Sequence, residues 1–407
     1  VLKVLAATLS RLPAGTRVYV QGATGESAAV ANLFETYAPD LAHLQLESCL
    51  VSGLNTRTYG QADEGPGLTT FMMNPALRPA GARLRIARLS YMEICRRWRT
   101  TPPDVAILNL APSEAGRYSF SAFADFGPTI WPDARQCIGL VNGAWPRPKV
   151  SPTIEVGALD AVFKTDEVAT RAPATPSATS RAVARHVAAQ IPDHATLQLG
   201  IGAVPSAVCE SLRGHRGLRL WSGLVGSGWM DLVDCGAARA TGHVAGVAEA
   251  DPQLLARLHD NPVVTFAPTR ITHDILRLAS ADRFIAINSA LEVDLWGQAN
   301  LEWRGAEPIS GLGGAPEFAT AAKLSPKGLS IVALASTAQS GAVSRIVTHL
   351  SGPTVSLAAP QIDLVVTEFG TADLRGCDIA ARAQRLMAVA APQHRAGLER
   401  AWSTLVN

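Results

Sequence analysis

An α/β fold of mainly parallel sheets with flanking helices, in two related open halves, is what this 407-residue chain predicts. Three observations carry that expectation. Short aliphatic runs alternate with helical stretches through most of the chain, the pattern of buried parallel strands covered by helices. Several of those runs end in glycine-rich loops, which fits the carboxyl ends of strands in an open sheet. The stretch VATRAPATPSATS (168–180) has small residues and two prolines, too little apolar matter to pack, and reads as a linker between the halves.

Taken in order, the apolar start VLKVLAATLS reads as a first helix, being too short for a membrane span and lacking a signal-peptide cleavage pattern. TRVYVQG (16–22) reads as a buried strand, GESAAVANLFETYA (25–38) as the helix after it, and DVAILNL (104–110), CIGLVNG (137–143) and TIEV (153–156) as further strands. After the linker, Ser180 is expected to cap the helix RAVARHVAAQ. ATLQLGIG (195–202) then enters a glycine turn before the helix VPSAVCESLR. PVVTFAP (262–268), RFIAIN (283–288), LSIVALAS (329–336) and DLVVTEFG (363–370) follow as aliphatic strands. Both halves begin strand, glycine loop, helix, which hints at internal duplication. The boundary is set near residue 175, giving domains 1–175 and 176–407.

The bulk numbers narrow the function. A hydrophobic content of 47% with 17% charged residues belongs to an ordinary globular protein with a large core. A net charge of +2 offers no basic field for nucleic acid or membrane. Six cysteines without a CxxC pair argue against a zinc site and a secreted disulfide framework; buried free thiols in a reducing, cytoplasmic setting are expected, with no metal.

Three loops stand out: LGIGAVP (199–205), ISGLGGAPEF (309–318) and TEFGTADLRG (367–376). Glycine after a parallel strand lets backbone approach a ligand and aims N–H groups at an anionic oxygen. None is a GxGxxG fingerprint or a P-loop, so nucleotide binding has little support.

In order along the chain these segments resemble the acetyl-CoA hydrolase/transferase family, the group that includes 4-hydroxybutyrate CoA-transferases. Gln198-Leu199-Gly200-Ile201-Gly202 with Pro205 is similar to the family's Gln-x-Gly-Ile-Gly motif. Ile287-Asn288-Ser289-Ala290-Leu291-Glu292-Val293-Asp294 with Gly297-Gln298 is similar to its Asn-Ser-Ala-Leu-Glu-Val-Asp…Gly-Gln motif. Ser310-Gly311-Leu312-Gly313-Gly314 with Phe318, Ser344-Arg345-Ile346-Val347 and Thr367-Glu368-Phe369-Gly370 resemble three more. The resemblance implies two related α/β domains of the CoA-transferase type, enzymes that move coenzyme A between carboxylic acids, a covalent glutamyl-CoA intermediate, and a homodimer or other homo-oligomer. It also implies that Ile201-Gly202 and Gly314 help form the oxyanion hole or shape the acyl pocket, that Gly200, Gly311, Leu312 and Gly313 belong to the CoA-thioester loops, and that Glu368 is an assisting carboxylate.

The departure from the family lies in LWSGLVGSGWMDLVDCG (220–236). Aligned on Gly228, Asp231-Leu232 and Gly236, Trp221 and Ser222 stand where the family has His and Thr, and Gly223 where it has its catalytic Glu. Glycine cannot be a nucleophile, and losing a covalent nucleophile costs on the order of a million-fold, about 8 kcal/mol of barrier. A second departure lies at Thr272-His273-Asp274, where family members carry an Asn close to the reacting carbonyl; the register allows His273 or Asp274. His273 there is a candidate general base; the alternative is a helix cap by Thr272 or Asp274 beside a solvated His. Ser222 and Ser227 read as turn residues, Cys209 as core, Glu292 and Asp294 as structural carboxylates, and Trp221 and Trp229 as pocket walls or core. The expectation is an enzyme acting on an acyl-CoA with a carboxylic acid or water, without the usual intermediate; the alternative is a non-catalytic CoA-thioester-binding or scaffolding subunit.

Overall fold

The computed structural model describes residues 2–406 apart from 61–63, 115, 170 and 173. The chain forms two compact units. The first comprises Val1–Ala172, Val244–Thr272 and Ile309–Gly313; the second comprises Pro173–His243, His273–Pro308 and Gly314–Asn407. Each is an α/β unit on a mainly parallel sheet with flanking helices. Two residues of the expected linker, 170 and 173, lie outside the described residues.

In the first unit the strands β1 (Arg17–Val20), β2 (Gln45–Ser48), β3 (Gly67–Thr70), β4 (Leu84–Ile86), β5 (Val105–Pro112), β6 (Gln136–Asn142) and β7 (Ala161–Thr165) run in the order β4-β3-β2-β1-β5-β6-β7, all neighbours parallel. Pleating sorts their side chains. Val18 and Val20 of β1 enter one core with Leu5 and Leu9 of helix α1 (Leu2–Leu9) and Val30, Leu33 and Phe34 of α2 (Ala28–Thr36). Tyr19 points the other way, edge-on to Trp98 of α3 (Tyr91–Thr100) at 5.2 Å between ring centroids. The start of α2 is satisfied twice: Ser27 Oγ accepts from Val30 N, and Glu167 accepts from the amides of Ala28 and Ala29.

Asp125 is a buried carboxyl on the aromatic side of this unit. Asp125 is 5% exposed, accepts from Thr269 Oγ1 at 3.2 Å through Oδ1, and has no partner for Oδ2. Burial pushes its pKa up to about 7, against the smaller opposing effects of the Thr269 and Phe126 hydrogen bonds.

In the second unit the strands β8 (Thr196–Leu199), β9 (Arg219–Val225), β10 (Phe284–Asn288), β11 (Leu329–Ala333), β12 (Leu364–Thr367) and β13 (Gly370–Asp373) run in the order β9-β8-β10-β11-β12-β13. The first five are parallel and only β13 is antiparallel to its neighbour. The helix after the linker, α4 (Ala178–Ala188), starts earlier than expected: Ser177 is its cap, its Oγ accepting from Ser180 N, and Ser180 lies inside the first turn. A capping oxygen serves the amide two or three residues ahead, and Ser177 already reaches it.

The two sheets repeat one device. Gln21 Oε1 accepts from Asn109 N, and Gln198 Oε1 accepts from Ile287 N. Gln21 follows β1, Gln198 is the penultimate residue of β8, and each bonds one residue beyond its register partner in the neighbouring parallel strand. The two sheets thus share one side-chain-to-backbone bond at like places. Among the described residues no cysteine forms a disulfide; Cys49, Cys95, Cys137 and Cys209 are buried, whereas Cys235, the C-cap of helix Ser227–Asp234, is exposed. Among the described residues no helix is long and apolar enough to cross a membrane.

Candidate functional site

Strand β9 presents Trp221 and Gly223 on one face and Leu220, Ser222 and Leu224 on the other. Ser222 is fully buried and donates to Leu199 O at 2.9 Å, stitching β9 to β8, so it is a structural hydroxyl. Trp221 packs against a cluster of Leu278, Phe284, Ala286, Phe318, Ala321 and Ala322, with the Arg219 guanidinium stacked 5.1 Å from its ring.

His273 lies directly over Gly223. A Cβ added at Gly223 would sit 3.0 Å from His273 Cε1 and 3.1 Å from Nε2. A Cβ added at Gly314 would sit 2.2 Å from Cδ2 and 2.3 Å from Nε2, so only glycine at 314 lets the ring take this place. Phe318, on the helix Ala315–Leu324 that starts after Gly314, packs against the ring at 4.5 Å between centroids and 44°. His273 is 2% exposed. Asp274 caps the helix Ile275–Ala279 through Leu276 N and Arg277 N, while His273 faces Gly223. The alternative of a solvated His is corrected by its burial against these two glycines and Phe318.

The Gly200-Ile201-Gly202 loop leaves β8 and starts α5 (Ala203–Ser211), with Gly202 as the cap at φ +109°, a conformation that favours glycine. A Cβ at Gly200 or Gly202 would meet nothing within 4 Å, so space lies over this loop, at a helix start whose amides face outward. Gly311, Leu312 and Gly313 belong to the first unit. There a Cβ at Gly311 would fall 2.7 Å from both Met72 Cγ and Phe71 O, Ser310 O accepts from Met73 N, and Gly313 O accepts from Tyr91 N. Close backbone packing accounts for glycine at 311.

Glu368, just after β12, belongs to a different set of contacts. Its carboxylate accepts from Ser336 N at 2.8 Å and Ser336 Oγ at 2.7 Å. Arg345 lies beside it: burial lowers the guanidinium's pKa, Glu368 opposes that shift and Arg304 adds to it. The structure therefore brings Gly223, Gly314 and His273 together, and holds Glu368 through Ser336 with Arg345 near. Phe318, Arg345 and Asn288 lie in motifs quoted from the sequence, where no signal separated their roles from the motif as a whole, and Ser336 ends a run read only as a strand. Asn288 Nδ2 is buried with no partner.

The other residues weighed from sequence are structural. Glu292 accepts from Asn300 Nδ2, Ser351 N and Ser351 Oγ. Asp294 accepts from Trp296 N, Gln298 N and Gln298 Nε2. Cys209 packs against Gly228, and Trp229 stacks edge-on to His243 at 5.4 Å.

Residues 251–402 match the acetyl-CoA hydrolase/transferase C-terminal domain. The chain is 33% identical over 307 residues to 4-hydroxybutyrate coenzyme A transferase of Clostridium kluyveri, covering 73% of this chain and 72% of that one. The crystal structure of 4-hydroxybutyrate CoA-transferase from Porphyromonas gingivalis superposes with a TM-score of 0.82 at 26% identity, over 99% of this chain and 96% of the other. RipA from Yersinia pestis superposes at 0.88 and 23% identity, over 98% of this chain and 96% of the other, a likeness of fold.

Proposed function

This chain belongs to the acetyl-CoA hydrolase/transferase family, and from that premise we propose that it is an enzyme acting on an acyl-CoA thioester with water or a carboxylic acid, without a glutamyl-CoA intermediate. The observation that carries the proposal is the His273 ring seated on Gly223 and Gly314. A titratable ring stands where the resemblance puts the family's nucleophilic side chain, and two glycines make room for it.

In hydrolysis, a water oxygen attacks the thioester carbonyl carbon while a His273 ring nitrogen takes its proton. The resulting oxyanion is held by backbone N–H groups of the Gly200-Ile201-Gly202 loop and Gly314; each such donor lowers the barrier by about 3 kcal/mol. The C–S bond then breaks and the thiolate takes the proton back from the imidazolium, giving the acid and free CoA. A carboxylate replacing water forms a mixed anhydride of the two acids, which the thiolate reopens at the second acyl carbon. Neither course needs a carboxylate nucleophile on the protein. Glu368, fixed by Ser336 and beside Arg345, orients the incoming water or acid.

The near-complete burial of His273 favours one rival, a thioester-binding subunit without turnover. Mass spectrometry decides between them. Acetyl-, propionyl- and aromatic acyl-CoAs are incubated with the protein, with and without acetate, and free CoA and new thioesters are followed. The expected result is CoA release or exchange that falls about 10²–10⁴-fold in His273→Asn. Binding without turnover of any thioester supports the rival, and unchanged turnover in His273→Asn refutes the role of the ring.

A further inference from the structure

The register of the second sheet, continued past its last paired residues, aligns three residues on one rung. Thr196 pairs with Arg219 and Leu197 with Leu220, while Leu199 pairs with Ile287. Carried forward, Gly200 stands between Gly223 of β9 and Asn288 of β10. Registered residues of parallel strands share a face. It is the face of Phe284 and Ala286, which pack with Trp221 and Phe318.

On this rung the central position has no side chain, and a Cβ there would meet nothing within 4 Å. Over Gly223 lies the His273 ring. On the far side Asn288, 8% exposed, carries a buried side-chain N–H₂ with no hydrogen-bond partner. With strands spaced about 4.8 Å, Gly223 and Asn288 stand about 10 Å apart. An open place over Gly200 is thus flanked by an imidazole and an unused amide donor. A buried donor without an acceptor is costly in a finished core and is expected where a ligand supplies the acceptor.

We infer that Asn288 Nδ2 donates to the carbonyl oxygen of the bound thioester, over Gly200 and opposite His273. The inference rests on the thioester reading above and adds a residue that touches the reacting group.

The probes are coenzyme A itself and a non-hydrolysable methyl-ketone analogue of acetyl-CoA. Calorimetry measures the affinity of each, and isotope-edited infrared spectroscopy measures the bound carbonyl stretch. In the native protein the stretch moves to lower frequency. In Asn288→Ala that displacement is lost and the ketone binds at least tenfold more weakly, while coenzyme A affinity stays within twofold. Asn288→Asp, which keeps the size and removes the donor, behaves likewise and covers the case in which the alanine variant does not fold. An unchanged carbonyl band and ketone affinity in both variants overturns the inference while leaving the thioester reading standing. Equal losses for ketone and coenzyme A overturn it in favour of a structural asparagine. A native protein that binds neither probe overturns the thioester reading, and this inference with it.

Discussion

Placing glutamate at position 223, where the resemblance puts the family's nucleophile, is the perturbation that tests the site most directly, and the structure predicts that it fails alone. The first atom of the new side chain already falls 3.0 Å from His273 Cε1, where ordinary contact is 3.4–4 Å. The ring has nowhere to retreat, because Gly314 closes one side of it and Phe318 packs against it at 4.5 Å. The rest of the glutamate must then pass the ring, an overpacking that costs about 1–3 kcal/mol. For a unit of this size each kcal/mol lowers the melting temperature by about 2–4 °C. Gly223→Glu should therefore melt several degrees lower and form no covalent adduct. Gly223→Glu with His273→Asn removes the ring, and should recover most of the melting temperature and form a glutamyl-CoA thioester, seen as the mass of CoA on the peptide containing residue 223. Calorimetry and peptide mass spectrometry read the two halves. If the single variant is as stable as the native protein and labels as fully as the double variant, then His273 does not occupy the position argued here.

Three further outcomes follow from the same contacts. Gly314→Ala forces the His273 ring aside and should cost about 1–3 kcal/mol; denaturant titration should show most of that loss disappearing in a His273→Ala background, a coupling that additivity would rule out. Ser336→Ala removes one of two donors to Glu368, and should cost about 1–2 kcal/mol and lower turnover more than substrate affinity. Asp125 sets a pH dependence: its pKa is raised on folding from 3.8 to about 7, so its contribution is most favourable below about pH 4 and is lost as pH rises to about 7. Three units correspond to a span on the order of 4 kcal/mol. Asp125→Asn should flatten that slope and be more stable than the native protein at pH 8; parallel stability curves for the two proteins between pH 4 and 8 would contradict the assignment.

Much of this molecule is legible without coordinates. Strands such as Arg17–Val20 and Phe284–Asn288 are runs whose β-branched and aliphatic residues can only be buried, and their local pattern persists in the fold. The family motifs are equally local, so the loops at Gly200–Gly202, Gly314 and Glu368 announce themselves in order. The cap of α4 was misplaced by three residues, because Ser177 and Ser180 both satisfy the local rule and only the backbone path chooses between them.

The chemistry of the site is a different matter. That position 223 is a glycine is a statement about one residue, and that residue 273 is a histidine is a statement about another, fifty positions away. Sequence alone left the second with an ambiguity of one residue and a solvated alternative. Only the tertiary structure decided that His273 lies on Gly223 and that Gly314 is what admits it. The physical reason is that motifs are written by short-range backbone geometry, whereas the volume above a glycine is settled by whichever distant side chain packs into it.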